Sequence, residues 1–194
     1  MARHSTMVSQ VCRLHPHPSM PAPSLAISAE MIWREKGVLT LSYVVLPLKS
    51  NEQRSLPEQL IGPWSEGSPR GQRRDDLWEH TCFEAFLGLP DDPRYWELNV
   101  SPSGDWNLYR FSDYRQREAD QSLGSAPEVT LQPLGRGLRC TVEFDPCGFW
   151  PGSLVPAIGL TMVVEHTPGD LSFWALSHPG EQADFHDRRS FLVP

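Results

Sequence analysis

Nineteen prolines and fourteen glycines punctuate the 194 residues. Proline removes a backbone donor and glycine weakens helix interiors, so long helices cannot propagate through such a chain. Between the interruptions apolar residues recur every second position, not every 3.6. Residues 38–45, 77–87, 95–100, 105–111, 129–134, 138–144, 158–166 and 172–176 therefore read as strands. Ser101-Pro102-Ser103-Gly104 suits a tight reversal, and 133–137 and 167–170 suit hairpin turns. Phe191-Leu192-Val193 reads as a short closing strand. One short helix is expected at 145–150, where Asp145-Pro146 resembles a cap and first position. Residues 49–75 read as a polar loop. Residues 1–24, with Pro16, Pro18, Pro21 and Pro23, read as a flexible or extended lead-in, with Met7 or Met20 as alternative starts. Short strands without alternating helices predict an all-β fold, an antiparallel β-sandwich in one domain over 25–194.

Charge and composition narrow the function. A net charge of −7 repels phosphate backbones, so no nucleic-acid partner is expected. No apolar run is long enough to span a bilayer, so no membrane partner is expected, and the first twenty residues lack the apolar block of a secretory signal. The expected compartment is the cytoplasm. Cys12, Cys82, Cys140 and Cys147 form no C-x-x-C pair, which argues against a zinc knuckle and agrees with reduced thiols.

Side chains alternate across a strand, so parity sorts them into faces. In 77–87 the odd positions are mostly apolar and point inward; the even positions bring Trp78, His80, Cys82, Glu84 and Phe86 to the other face. In the next strand Trp96, Leu98 and Val100 are inward and Tyr95, Glu97 and Asn99 outward. In 138–144 Leu138, Cys140, Val142 and Phe144 are inward. A merely solvated face carries few tryptophans. Aromatic rings beside carboxylates and an amide fit a sugar, whose C–H face stacks on indole while its hydroxyls bond to Glu, Asn and Arg.

The stretches 77–87 (LWEHTCFEAFL) and 95–109 (YWELNVSPSGDWNLY) resemble the bacterial DOMON-like domains, which are related to family 9 carbohydrate-binding modules. Phe173-Trp174-Ala175-Leu176-Ser177-His178-Pro179 and Ala183-Asp184-Phe185-His186 extend the likeness, which spans about 25–194. The resemblance implies a jelly-roll or immunoglobulin-like sandwich that binds sugar or haem without chemistry. It further implies that two tryptophans sandwich the sugar while a glutamate holds hydroxyls: Trp78 with Glu84, and Trp174 as the second ring, with Arg110 as a ligand-binding arginine. Glu97, Asn99 and Trp106 complete the candidate set.

Rival readings are weaker. His80, His178 and His186 are too far apart in sequence for a metal motif. Haem needs axial ligands, and Met162 lies on the apolar face of its strand. Glu84 and Glu97 could meet across neighbouring strands as a glycosidase pair, yet no nucleophile elbow, P-loop, Rossmann glycine pattern or H-E-x-x-H occurs. No enzyme activity and no cofactor are expected. A protein-docking domain is the alternative from another class.

Overall fold

The computed structural model describes residues 6–34, 39–48, 71–118, 120–152 and 154–193. It contains eleven strands: β1 (Thr6–Pro16), β2 (Leu25–Arg34), β3 (Leu39–Pro47), β4 (Cys82–Gly88), β5 (Tyr95–Val100), β6 (Trp106–Asp113), β7 (Gln116–Arg117), β8 (Glu128–Leu134), β9 (Gly137–Phe144), β10 (Ala157–Thr167) and β11 (Asp170–Ala175). They follow the spatial order β7-β6-β5-β4-β10-β11-β1-β2-β3-β9-β8, with every neighbouring pair antiparallel. Among the described residues the helical segments are three-residue 3-10 turns at Leu77–Glu79, Pro146–Gly148 and Arg188–Ser190.

The strand order folds into two layers. β1 joins them: Val8 to Leu14 pair with β2, whereas His15 and Pro16 pair with Ala175 and Trp174 of β11. One layer buries Ile27, Ala29, Met31 and Trp33 of β2, Leu41 and Tyr43 of β3, and Cys140 and Val142 of β9. The other buries Phe83, Ala85 and Leu87 of β4, Leu98 of β5, Leu108 of β6 and Leu160 and Met162 of β10 against them. Tyr43 spans the gap, its ring 5.3 Å from Phe83 and its hydroxyl donating to the Glu84 carbonyl at 2.5 Å.

Four expectations need correction. Thr6–Pro16 is a paired strand, not a lead-in, because β2 offers it a full ladder. The strand expected from residue 77 begins at Cys82. Before it, Asp76 takes a left-handed conformation (φ 61°) and Leu77–Glu79 form a 3-10 turn. The short helix at 145–150 shrinks to one turn, where the Asp145 side chain accepts the Cys147 N–H at 2.8 Å. Leu192 makes a two-way bridge with Ile158, both bonds 2.8 Å, where a closing strand was expected. Most of the polar loop at 49–75 lies outside the described residues.

Candidate functional site

The layer containing β4, β5, β6, β10 and β11 has a second buried face, turned away from the sandwich core. Parity places Cys82, Glu84 and Phe86 there from β4, Tyr95, Glu97 and Asn99 from β5, and Tyr109 and Phe111 from β6. Thr161 and Val163 of β10 and Phe173 of β11 share it. Two segments cover this face. The stretch before β4 is stitched to β6, with Arg74 N–H on the Trp106 carbonyl at 3.0 Å and Asp75 accepting from Asn107 Nδ2 (3.0 Å) and the Tyr109 hydroxyl (3.1 Å). The C-terminal stretch is held by Arg188, which donates to the carbonyls of Leu89 (2.6 Å) and Asp92. Phe191 packs so closely on β10 that a Cβ at Gly159 would lie 2.7 Å from its ring.

Between the sheet and its cover lies a cavity of about 590 Å3. Trp78, Phe86, Tyr109, Phe111, Phe173 and Phe185 supply its aromatic walls. Trp78 meets the Tyr109 ring edge-on at 5.6 Å, and Phe185 meets Phe173 at 5.8 Å. Glu84 and Glu97 line the same cavity. They stand diagonally across β4 and β5, because Glu84 pairs with Asn99 and Phe86 with Glu97.

Both acids are withdrawn from water, Glu84 at 2% and Glu97 at 6% exposure. Glu84 Oε2 accepts from the Thr161 hydroxyl at 3.3 Å, while Oε1 has no partner among the described residues. Glu97 Oε1 accepts from Asn99 Nδ2 at 2.9 Å. The Thr161 hydroxyl and Cys82 thiol beside Glu84, and Asn99 with the more distant Arg117 and Arg115 charges around Glu97, do not offset desolvation of a carboxylate. Burial, then the neighbouring Glu97, push the Glu84 carboxyl well above its ordinary range. Burial pushes Glu97 up to about 7.

His186 closes one side. Its Nδ1 lies 2.8 Å from the Tyr95 hydroxyl, whose oxygen accepts the Arg115 N–H at 3.0 Å. The other ring nitrogen, Nε2, lies 3.8 Å from Glu97 Oε2. Burial, then the Arg115 charge, lower the His186 pKa to about 4, which favours the neutral ring. Arg115 and Arg117 sit at the rim. Arg115 is paired with Asp184 at 2.8 Å, and Arg117 with Asp120 at 2.7 Å and Asp75 at 3.3 Å while lying 4.1 Å over the Tyr109 ring.

The structure therefore brings Trp78, Glu84 and Glu97 together on one cavity. Asn99 lies on the same face, fully buried, and acts on the cavity through Glu97. The other three candidates lie elsewhere. Trp174 is 3% exposed inside the sandwich core and donates its indole N–H to Ser172 at 3.0 Å, because parity on β11 turns Phe173 to the cavity instead. Trp106 packs at the end of the same core under the Arg73 guanidinium, 5.4 Å from its ring. Arg110 lies on the core-side parity of β6 and pairs with Glu118 at 2.7 Å. Sequence reasoning did not single out Arg115 or Arg117, and Tyr109 and Phe173 stood inside the quoted motifs without a binding role. Phe185 and His186 had a signal, since Ala183-Asp184-Phe185-His186 stood out as a motif.

No protein-family model and no curated protein matches the chain. Among solved structures, a candidate carbohydrate-binding protein from Bacteroides uniformis shares the fold, with a TM-score of 0.58 at 12% identity. The match covers 93% of this chain and 84% of that one. Among the described residues no helix is long and apolar enough to cross a membrane.

Proposed function

We propose that the cavity binds a sugar or sugar-containing metabolite and performs no chemistry on it. One observation carries this reading: Glu84, a buried carboxyl with an unpartnered oxygen, lines a cavity walled by aromatic rings. A buried acceptor without a donor costs stability, and a ligand hydroxyl would remove that cost. The rings of Trp78 and Phe173 would meet sugar C–H groups, and the rim guanidiniums would donate to outer hydroxyls. A volume of about 590 Å3 lies within the range of small-ligand sites. The fold shared with the Bacteroides protein and the motif resemblance to DOMON-like and family 9 modules support the same reading.

Glu84 and Glu97 rise from adjacent strands of one cavity floor, and the fold is shared with a candidate binding protein, which supports binding without catalysis. Haem fits the lining poorly: among the described residues that line the cavity His186 is the one imidazole or thioether, and two buried acids stand beside it. A covered cavity suits a small molecule better than a protein surface, which would need an open patch. The thiols of Cys12, Cys82, Cys140 and Cys147 support a cytoplasmic setting.

Calorimetry with a panel of mono- and disaccharides tests the proposal. Trp78→Ala should weaken binding about fivefold or more, since one stacking ring contributes about 1 kcal/mol, with little change in Tm because Trp78 is only half-buried in a turn. Unchanged affinity, or unfolding of the variant, would overturn the assignment of Trp78 as a stacking surface.

A further inference from the structure

We infer that the sugar taken by this cavity carries a protonated amine, seated between Glu84 and Glu97. The inference rests on the sugar reading above and names the ligand class within it.

The cavity has more acid than its own donors can answer. Glu84 and Glu97 each receive one neutral hydrogen bond, from Thr161 and Asn99, and Glu79 lines the cavity as a third acid. The nearest cations are already committed, Arg115 to Asp184 and Arg117 to Asp75 and Asp120. His186 presents a neutral ring, as argued above, and the Cys82 thiol and Tyr95 and Tyr109 phenols on the same floor carry no positive charge. The Tyr109 hydroxyl is spent on Asp75. Glu84 Oε1 is left with nothing, and Glu97 Oε2 has only the Nε2 of His186 at 3.8 Å.

A hydroxyl brings one donor and no charge. An ammonium brings three donors and a full positive charge in one compact group, which serves two carboxylates on a shared floor. The walls agree, since an ammonium beside the rings of Trp78, Phe86 and Phe173 would be attracted wherever it meets a ring face. A hard metal ion would want six or more oxygens, and among the described residues no three acids, histidines or cysteines converge to hold one. With the cavity empty, burial holds both acids toward their protonated forms, and an arriving ammonium would displace those protons to solvent.

The test is titration calorimetry on the full chain near pH 6.5. The probes are glucosamine, galactosamine and 6-amino-6-deoxyglucose, each against its neutral parent, with methylammonium and calcium as controls. At least one amino sugar should bind tenfold or more tightly than its parent. That ratio should collapse toward one in Glu84→Gln and in Glu97→Gln, which keep shape and an acceptor oxygen. Titrations in phosphate and in Tris should differ in heat by the release of up to two protons, one from each acid. Parents that bind as tightly as amino sugars would overturn the inference and leave the sugar reading standing. Binding of methylammonium without any sugar would overturn the sugar reading, and with it the ligand class. Calcium bound in place of every sugar would replace the ammonium by a metal. No binding by any probe would overturn both.

Discussion

Burying Glu97 beside Glu84 costs stability in a way that depends on pH. An unfolded glutamate titrates near 4.5 and the folded Glu97 near 7, so between these values the folded chain holds a proton that the unfolded chain has released. Stability from this group therefore falls as pH rises through that window, by about 3 kcal/mol when the shift is fully developed. His186 acts in the opposite sense. Its folded value near 4 lies below the usual 6.5, so its contribution rises with pH between those points and masks part of the glutamate's effect. The comparison that isolates Glu97 is the difference between Glu97→Gln and the wild type. In urea unfolding from pH 4.5 to 7.5 that difference should move steadily in favour of the variant; a flat difference would show that Glu97 is not strained. Much of this floor was legible in the sequence. Strict alternation in 82–88 and 95–100 put Glu84, Glu97 and Asn99 on one face, because no bulge interrupts those ladders. The second stacking ring was not legible. Phe173 and Trp174 are adjacent large aromatics, and only the register of β11 on β10, Met162 opposite Trp174, decides which one is inside.

At the scale of elements, β1 and the C-terminal stretch carry the load. β1 alone pairs with strands of both layers, so a chain begun at Met20 would lose the β2 ladder partner and the link to β11. Circular dichroism of that truncation should show loss of the cooperative unfolding transition; an unchanged Tm would mean that the two layers hold together without it. The C-terminal cover depends on one missing side chain. Gly159→Val would drive a branched side chain into Phe191, whose ring lies 2.7 Å from the Cβ position. Overpacking of this kind costs about 1–3 kcal/mol, so thermal denaturation should show a Tm several degrees lower. Seven of the eight strands read from periodicity lie within two residues of those observed, because their turn-forming prolines and glycines fall near the ends. β1 and β2 escaped detection for different reasons. β1 buries only Leu14 among its residues of known exposure, so no apolar stripe marks it. β2 alternates cleanly, but Ala29, Glu30 and Met31 favour a helix as much as a strand.

Seen whole, the molecule is a two-layer sandwich with one outer face roofed by two segments far apart in sequence. The roof is tied to the sheet by polar contacts, Asp75 on one side and Arg188 on the other, with aromatic rings packed beneath. That construction makes the cover the part most responsive to a ligand, since bound contacts add to both sides of the cavity. Amide exchange measured with and without sugar should show new protection in 75–81 and 183–192 and little change in β2, β3 and β9; protection confined to the far layer would place the binding site elsewhere. Parity and motifs pointed to a polar face, but its roof was beyond their reach, because pairing between distant segments leaves no local period. The most direct measurement is a crystal structure of the chain with its tightest-binding sugar. The ligand should lie between Trp78 and the Glu84–Glu97 floor, with a polar atom within hydrogen-bond distance of Glu84 Oε1. A sugar bound on another face, with this cavity holding only water, would contradict the account.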